Sequence, residues 1–307
     1  MAIYEEHIPA FAKINLFLRV CGKRPDGYHV LSSLMQSISL CDDVGVQCSD
    51  HAVRDGFEPG IFLATNVGYL PNDAKNTAYK AARTFLNALG QKDISVRIHI
   101  RKQIPTQAGL AGGSTDAAAV LKALSNIFPG VIQRDELFRI AAGIGADVPF
   151  CMDGGTQLCE GIGDVLSPVL PLQGLPILLI KPACSISTPR AFSKYDELRV
   201  NHKVLPEREE AITRLLRAPQ NSDPRRRIAD AAPYLYNDLE SVAEHVFPIL
   251  ADIRSFLTKQ GAVMARMSGS GSTVYGIFED AKTRDDAGLH ADHTYGTDFF
   301  RYAGETV

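Results

Sequence analysis

Between Pro105 and Asp116 the chain reads Pro-Thr-Gln-Ala-Gly-Leu-Ala-Gly-Gly-Ser-Thr-Asp, a composition suited to holding phosphate. Glycines let backbone amides approach an anion without side-chain obstruction. A run that leaves a strand and enters a helix also offers the anion the helix's unpaired first-turn N–H groups and positive dipole end. Pro105, Thr106, Gln107, Ala108, Gly109, Leu110, Ala111, Gly112, Gly113, Ser114 and Thr115 are therefore candidate phosphate-binding residues. A glycine turn with Ser114 or Thr115 merely capping the helix fits the same residues. Neither the Walker pattern nor the Gly-x-Gly-x-x-Gly fingerprint occurs, which disfavours the two commonest nucleotide folds.

Three further places could do chemistry. Asp147 lies in the glycine-flexible turn Gly143-Ile-Gly145-Ala-Asp147-Val-Pro149, where it is either a reactive carboxylate or the N-cap of a helix begun by Pro149. Lys13 and Asn15 alternate with Ile14 and Leu16 and so share one face of an early strand, ordinarily the solvated face. Met267 to Thr273, rich in Ser and Gly, is either a loop able to approach a ligand or a hairpin turn. No His-Glu-x-x-His, Gly-x-Ser-x-Gly or tight His/Cys cluster is present, so zinc hydrolysis and elbow-type acyl transfer lack support and phosphoryl transfer remains.

The elements that must position these residues form an α+β order. Strands are expected at Lys13–Val20, Ile94–Ile100, Ile177–Ile180 and Thr273–Phe278, and a turn at Pro25-Asp26-Gly27. Helical spacing covers Asn76–Leu89, Ser114–Ile127, Asp135–Ala142 and Ile249–Gln260. A Pro-rich segment from Pro168 to Pro176 suggests a boundary near residue 165, dividing domains 1–165 and 166–307. Lys194 to Asp230 reads as a charged, exposed region, Arg225-Arg226-Arg227 as a solvated loop, and the chain after Asp280 carries little pattern.

The 307 residues are 45% hydrophobic and 22% charged, enough for a large core and too apolar for disorder. A net charge of −3 supplies no general field for nucleic acid or acidic membranes, so an anionic ligand must be held locally. The longest uncharged stretch, between Asp164 and Lys181, is broken by prolines and is no membrane span. Glu5 and Glu6 ahead of any apolar run do not read as a secretion signal, so a cytoplasmic location is expected, with the six cysteines reduced and mostly in the core.

Taken together, Ala12-Lys13-Ile14-Asn15-Leu16, Asp26-Gly27-Tyr28-His29, the Pro105–Thr115 loop with Asp116-Ala117-Ala118, Gly145-Ala146-Asp147-Val148-Pro149 and Ser268-Gly269-Ser270-Gly271 resemble the GHMP kinase family. The resemblance implies the GHMP kinase fold: an N-terminal domain like ribosomal protein S5 domain 2, a C-terminal ferredoxin-like domain, and an active site between them. It implies ATP and Mg²⁺ as cofactors, Asp147 as general base, and Lys13 beside it stabilising the attacking oxygen. In the branch that the Gly27-Tyr28-His29 segment matches, it implies phosphorylation of the 2-hydroxyl of 4-diphosphocytidyl-2-C-methyl-D-erythritol in non-mevalonate isoprenoid precursor synthesis. Asn15 and Thr188 would contact that substrate, Tyr28 and Phe192 would flank the cytosine, and His29 would bond its edge. Asn76 and Lys102 would lie near the nucleotide, and Ser114, Thr115 and, less directly, Asp116 are the hydroxyl and carboxylate candidates for Mg²⁺. The implied partner is a small molecule, with no nucleic acid or membrane, and the protein a monomer or homodimer. A kinase for homoserine, mevalonate or another small alcohol, or a ligand sensor of the same fold, are the alternatives; Lys13 and Asp147 argue against the sensor.

Many family members have a longer glycine run in the phosphate loop. Because alanine disfavours positive φ, Ala108 and Ala111 are expected at negative φ, with Gly109, Gly112 and Gly113 supplying any left-handed turns.

Overall fold

Two long strands, β1 (Ile3–Lys23) and β2 (His29–Ser49), pair with each other and are joined by the turn at Pro25-Asp26-Gly27, where Gly27 adopts φ 90°. The computed structural model describes residues 3–50, 58–198, 206–219, 221–296 and 298–307. These fall into two compact units: the described residues within 1–12, 40–106 and 111–154 in the first, and those within 13–39, 107–110 and 155–307 in the second. Strands β1 and β2 contribute residues to both.

In the first unit β3 (Gly60–Thr65), α1 (Thr77–Leu89) and β4 (Ser95–Arg101) form a β-α-β crossover, β3 lying parallel to β4 and β4 antiparallel to the second half of β2. Helix α1 starts where the Asn76 side chain accepts from the Ala78 amide and stops at Gly90 with φ 71°. Its buried residues Ala78, Ala81, Ala82 and Phe85 repeat at helical spacing and face α2 (Gly112–Ile127). Helices α3 (Arg134–Ile144) and α4 (Val148–Asp153) complete the layer.

In the second unit the first half of β2 pairs with β5 (Thr156–Gly161), and β5 with β6 (Val165–Pro168). The rest follows β7 (Pro176–Lys181), α5 (Thr188–Leu198), α6 (Pro206–Leu216), α7 (Pro224–Ala231), α8 (Glu240–Val246), α9 (Ile249–Lys259), β8 (Met264–Met267), β9 (Val274–Ile277), α10 (Ala281–Tyr295) and β10 (Phe300–Glu305). The sheet order β10-β7-β9-β8, all antiparallel, realises a β-α-β-β-α-β plan with extra helices between β7 and β8. The apolar run of β7 is buried throughout because it lies inside this sheet, and its core cluster includes Leu178, Ile180, Leu250, Ile253, Leu257, Val274 and Phe278.

Three expectations change. Arg225-Arg226-Arg227 is not a loop but the first turns of α7, capped by Asp223; Arg227 is buried and donates to the carbonyls of Leu170, Pro171 and Leu215. Its neighbours Ile228 and Ala231 give that helix a buried face, which the charge run obscures in the sequence. Lys194 to Asp230 is accordingly helical and partly buried where described, with 199–205 and 220 outside the described residues. The described residues after Asp280 include α10 and the edge strand β10, whose six residues pair with β7. Three cysteines, Cys48, Cys151 and Cys159, are buried, and all six are free thiols. Among the described residues no helix is long and apolar enough to cross a membrane.

Candidate active site

Lys13 and Asn15 are not on a solvated face: only 4% and 1% of their surfaces are exposed, because β1 is covered on both sides here. Burying an ammonium is costly unless its hydrogens are satisfied. Lys13 Nζ donates to Asn15 Oδ1 at 2.7 Å, Asn15 Nδ2 donates to Ser33 Oγ at 2.8 Å, and Ser33 Oγ donates to the Phe17 carbonyl at 2.6 Å. This relay fixes the ammonium. Within the same unit, residues 107–110 and 268–273 close on it. Lys13 N donates to the Leu110 carbonyl, Ser268 Oγ to the Gly109 carbonyl and Thr273 N to the Ala108 carbonyl. A Cβ on Gly109 would stand 2.1 Å from the Ser268 carbonyl oxygen, so only glycine fits that approach. The Ser/Gly segment thus approaches the phosphate loop and is no mere hairpin turn. Asn237, which sequence spacing did not single out, holds this segment by donating to the Met267 and Gly269 carbonyls.

Along the phosphate loop, positive φ falls at alternate residues: Gln107 at 49°, Gly109 at 74° and Ala111 at 60°. Alternation of hand along a backbone is the pattern by which successive amides can form a concave nest suited to an anion. The expectation of negative φ holds at Ala108 and fails at Ala111, while Gly112 and Gly113 are helical rather than left-handed. Ala111 is the N-cap residue of α2 and must turn the chain into the helix; for a non-glycine residue that conformation costs of order 1–3 kcal/mol. Gly112 is used for closeness instead, since a Cβ there would meet Ile104 Cγ2 at 3.0 Å. Ala111 has no side-chain acceptor, and α2 has no side-chain N-cap hydrogen bond, which suits an N-terminus kept for an external anion.

In the first unit Thr115 Oγ1 donates to the Phe11 carbonyl, so that hydroxyl ties α2 to β1. Lys102 Nζ lies between two carboxylates, bonded to Asp42 Oδ2 and, at 2.6 Å, to Asp116 Oδ2. Asp42 Oδ1 accepts from the Gln103 and Ile104 amides at 2.5 and 2.8 Å, so the triad holds the chain entering the loop and the first turn of the helix leaving it. Burial, aided by Asp42, pushes the Asp116 carboxyl up to about 7 against the opposing pull of Lys102. Lys102 is also buried, which lowers its pKa, but the two carboxylates outweigh this and raise it. Asp42 was missed, although it falls in register with buried Leu40, Val44, Val46 and Cys48, a charge in an apolar stripe. Asn76 caps α1 and its Nδ2 donates to the Pro71 carbonyl.

Asp147 occupies the N-cap position of α4 at φ −81° and ψ −11°, half-buried, and its side chain makes no capping hydrogen bond. Backbone geometry there is already helical, so capping does not account for the acid.

The second unit also gathers the aromatic candidates. His29 is stacked on Phe192, with ring centroids 4.7 Å apart and planes 17° from parallel, and its Nε2 lies 2.8 Å from Asp196 Oδ1. Tyr28 is 63% exposed in the β1–β2 turn, where its amide donates to Asp26 Oδ1. Thr188 begins α5 and its hydroxyl lies 3.1 Å from that of Ser270.

A two-unit α+β chain with a nest leading into a helix and a buried, oriented lysine defines a class of small-molecule kinase, and the comparisons agree. The GHMP kinases N terminal domain matches residues 76–155 and the GHMP kinases C terminal domain residues 213–292. The chain belongs to the GHMP kinase family. It is 41% identical over 271 residues to the 4-diphosphocytidyl-2-C-methyl-D-erythritol kinase of Clostridium botulinum (strain Kyoto / Type A2), covering 88% of this chain and 90% of that one. A crystal structure of 4-(cytidine 5′-diphospho)-2C-methyl-D-erythritol kinase superposes with a TM-score of 0.74 at 33% identity, over 98% of this chain and 99% of the other. The crystal structure of L. major mevalonate kinase shares the fold at a TM-score of 0.73 and 15% identity, over 98% and 95% of the two chains.

Proposed function

We propose that this kinase transfers the γ-phosphoryl group of ATP to the 2-hydroxyl of 4-diphosphocytidyl-2-C-methyl-D-erythritol, releasing ADP and the 2-phosphate, within non-mevalonate isoprenoid precursor synthesis in the cytoplasm. The observation that carries the reading is the 41% identity to a kinase of that name along nearly the whole of both chains. The partition near residue 165 assumed for its two domains falls between the two family matches, 76–155 and 213–292.

In this reading the nest from Gln107 to Ala111 and the N-terminus of α2 hold the nucleotide phosphates by backbone N–H groups. Lys13, oriented by Asn15, stabilises negative charge on the attacking oxygen. Asp147 accepts the hydroxyl proton; a carboxylate is a weak base for an alcohol, so alignment and charge stabilisation carry most of the rate, and base assistance adds about 10²–10⁴-fold. Mg²⁺ would neutralise phosphate charge, held mainly by phosphate oxygens and water. The Ser114 hydroxyl is the protein oxygen that best suits it, since Thr115 is bonded to Phe11 and Asp116 to Lys102. Lys102, enclosed by two carboxylates, acts on the loop's shape rather than on the nucleotide directly. Tyr28, His29 and Phe192 receive the cytosine, and Asn15 and Thr188 lie toward the substrate.

Lys13→Ala and Asp147→Ala should each lower turnover at least about 10²-fold while leaving ATP-analogue binding intact. Near-normal rates in both variants would remove them from the chemistry. Turnover of mevalonate or homoserine, with no competition from cytidine diphosphate, would overturn the substrate assignment.

A further inference from the structure

Helix α5 presents Phe192, Tyr195 and Asp196 at i, i+3 and i+4, one face of a helix, and all three meet a single side chain, His29. Phe192 stacks on the imidazole, Tyr195 approaches it edge-on at 6.3 Å and 87°, and Asp196 Oδ1 takes Nε2 at 2.8 Å. The other carboxylate oxygen, Oδ2, bonds Lys23 Nζ at 2.5 Å. The His29 side chain is 8% exposed, so its orientation is set by these neighbours rather than by water.

Hydrogen-bonding capacity then decides which nitrogen carries the proton. An ionised carboxylate only accepts, so the ring nitrogen facing it must be N–H. Hydrogen bonds from Lys23 and then His29 hold the Asp196 carboxyl below the usual range, which keeps it ionised. Lys23 already supplies a full positive charge to that carboxylate, so the imidazole can serve it as a neutral donor. A neutral ring with its proton on Nε2 has a lone pair on Nδ1.

Resting on the reading that His29 meets the cytosine, we propose that Asp196 is a positioning residue that locks His29 as the Nε2–H tautomer, so that Nδ1 accepts from the base's exocyclic amine. Cytosine offers an N4 amino donor at that edge. Uracil offers a carbonyl oxygen there, and two lone pairs would face one another. A buried acceptor left without a donor is expensive, so the lock converts one carboxylate into selection of cytidine over uridine. Asp196→Asn ends the lock without changing the side chain's shape, since an amide can either accept from Nε2–H or donate to a bare Nε2.

The test has two arms on the full-length protein. ¹⁵N chemical shifts of labelled histidine, without ligand, should show His29 as the Nε2–H tautomer in wild type and a mixture in Asp196→Asn. Binding of cytidine 5′-diphosphate and uridine 5′-diphosphate, by calorimetry, should favour cytidine by at least about tenfold in wild type, and Asp196→Asn should lose most of that ratio. An unlocked tautomer with an unchanged ratio, or no Nε2–H form in wild type, would overturn the proposal. If wild type shows the Nε2–H form yet does not prefer the cytidine ligand, the substrate reading itself has failed, and the role of Asp196 in recognition fails with it. A thermal unfolding midpoint close to that of wild type separates these outcomes from misfolding.

Discussion

Two three-membered charge clusters in this chain use the same chemistry in opposite surroundings. Lys102 sits between Asp42 and Asp116 with side-chain exposures of 5%, 0% and 6%, whereas Asp196 sits between Lys23 and His29 with exposures of 36%, 51% and 8%. The first places two carboxylates on one ammonium away from water, so its imbalance cannot be screened and appears as a carboxyl pushed up to about 7. The second has one carboxylate shared by two donors at the surface, where solvent weakens the charges and what survives is direction. The buried cluster is suited to holding a backbone loop in shape, and the exposed one to orienting a ring.

The largest effect expected from this contrast follows from removing the cation of the buried cluster. Lys102→Met leaves Asp42 and Asp116 buried without their shared ammonium, and breaking such a network costs about 3–5 kcal/mol. Urea unfolding at neutral pH should show that loss, together with weaker ATP-analogue binding if the triad shapes the loop as argued. A loss below about 1 kcal/mol would mean the cluster is hydrated in solution and the contrast with the exposed one is false.

Legibility followed the same division. Period-2 and period-3.6 patterns marked β4, α1, α2, α3 and α9, because each has a buried apolar face, while β7 and β9, buried along their whole length, showed only as short stretches without alternation. The phosphate loop stood out by its glycine run, whereas Lys13, Asn15 and Asp147 did not: alternation put the first two on a solvated face, spacing suited the third to a helix cap, and only the family resemblance gave them site roles. What remained hidden was contact between segments distant in sequence: Asp42 with Lys102 and Asp116, Asn237 with Gly269, and Asp196 with His29. Asp42 alone left a trace, as a charge in a buried register. Helix α10 was missed because its only buried residues are Ala287 and Ala291, too few to mark a face against its charged neighbours. The left-handed Ala111 reversed an intrinsic preference, a cost that packing of α2 against α1 and α4 can offset.

A medium-sized effect distinguishes the clusters by pH. In the unfolded chain Asp116 titrates near 3.8, and in the folded protein near 7, so between those values the native state keeps a proton that the unfolded chain has released. Stability contributed by this group therefore falls as the pH rises through that window. Asp116→Asn cannot ionise and should lack this slope, so wild type should lose at least about 1 kcal/mol relative to the variant between pH 5 and pH 8. Urea midpoints across that range measure it. Parallel profiles would show that Lys102 keeps Asp116 ionised throughout.

The smallest effect is expected at the exposed cluster. Lys23 and Asp196 form an ion pair with both partners well solvated, the kind that contributes about 0–1 kcal/mol. Lys23→Ala should therefore shift the urea midpoint little, in contrast to Lys102→Met, although both remove one lysine from a three-membered cluster. His29 still donates to Asp196 and still stacks on Phe192, so the ring keeps its partners. Lys23 mainly offsets the charge of Asp196. The preference for cytidine over uridine diphosphate should survive in Lys23→Ala, because Asp196 still accepts from the His29 ring. Loss of that preference would mean that Asp196 needs the ammonium to orient the ring, and a stability loss above about 2 kcal/mol would place this cluster with the buried one.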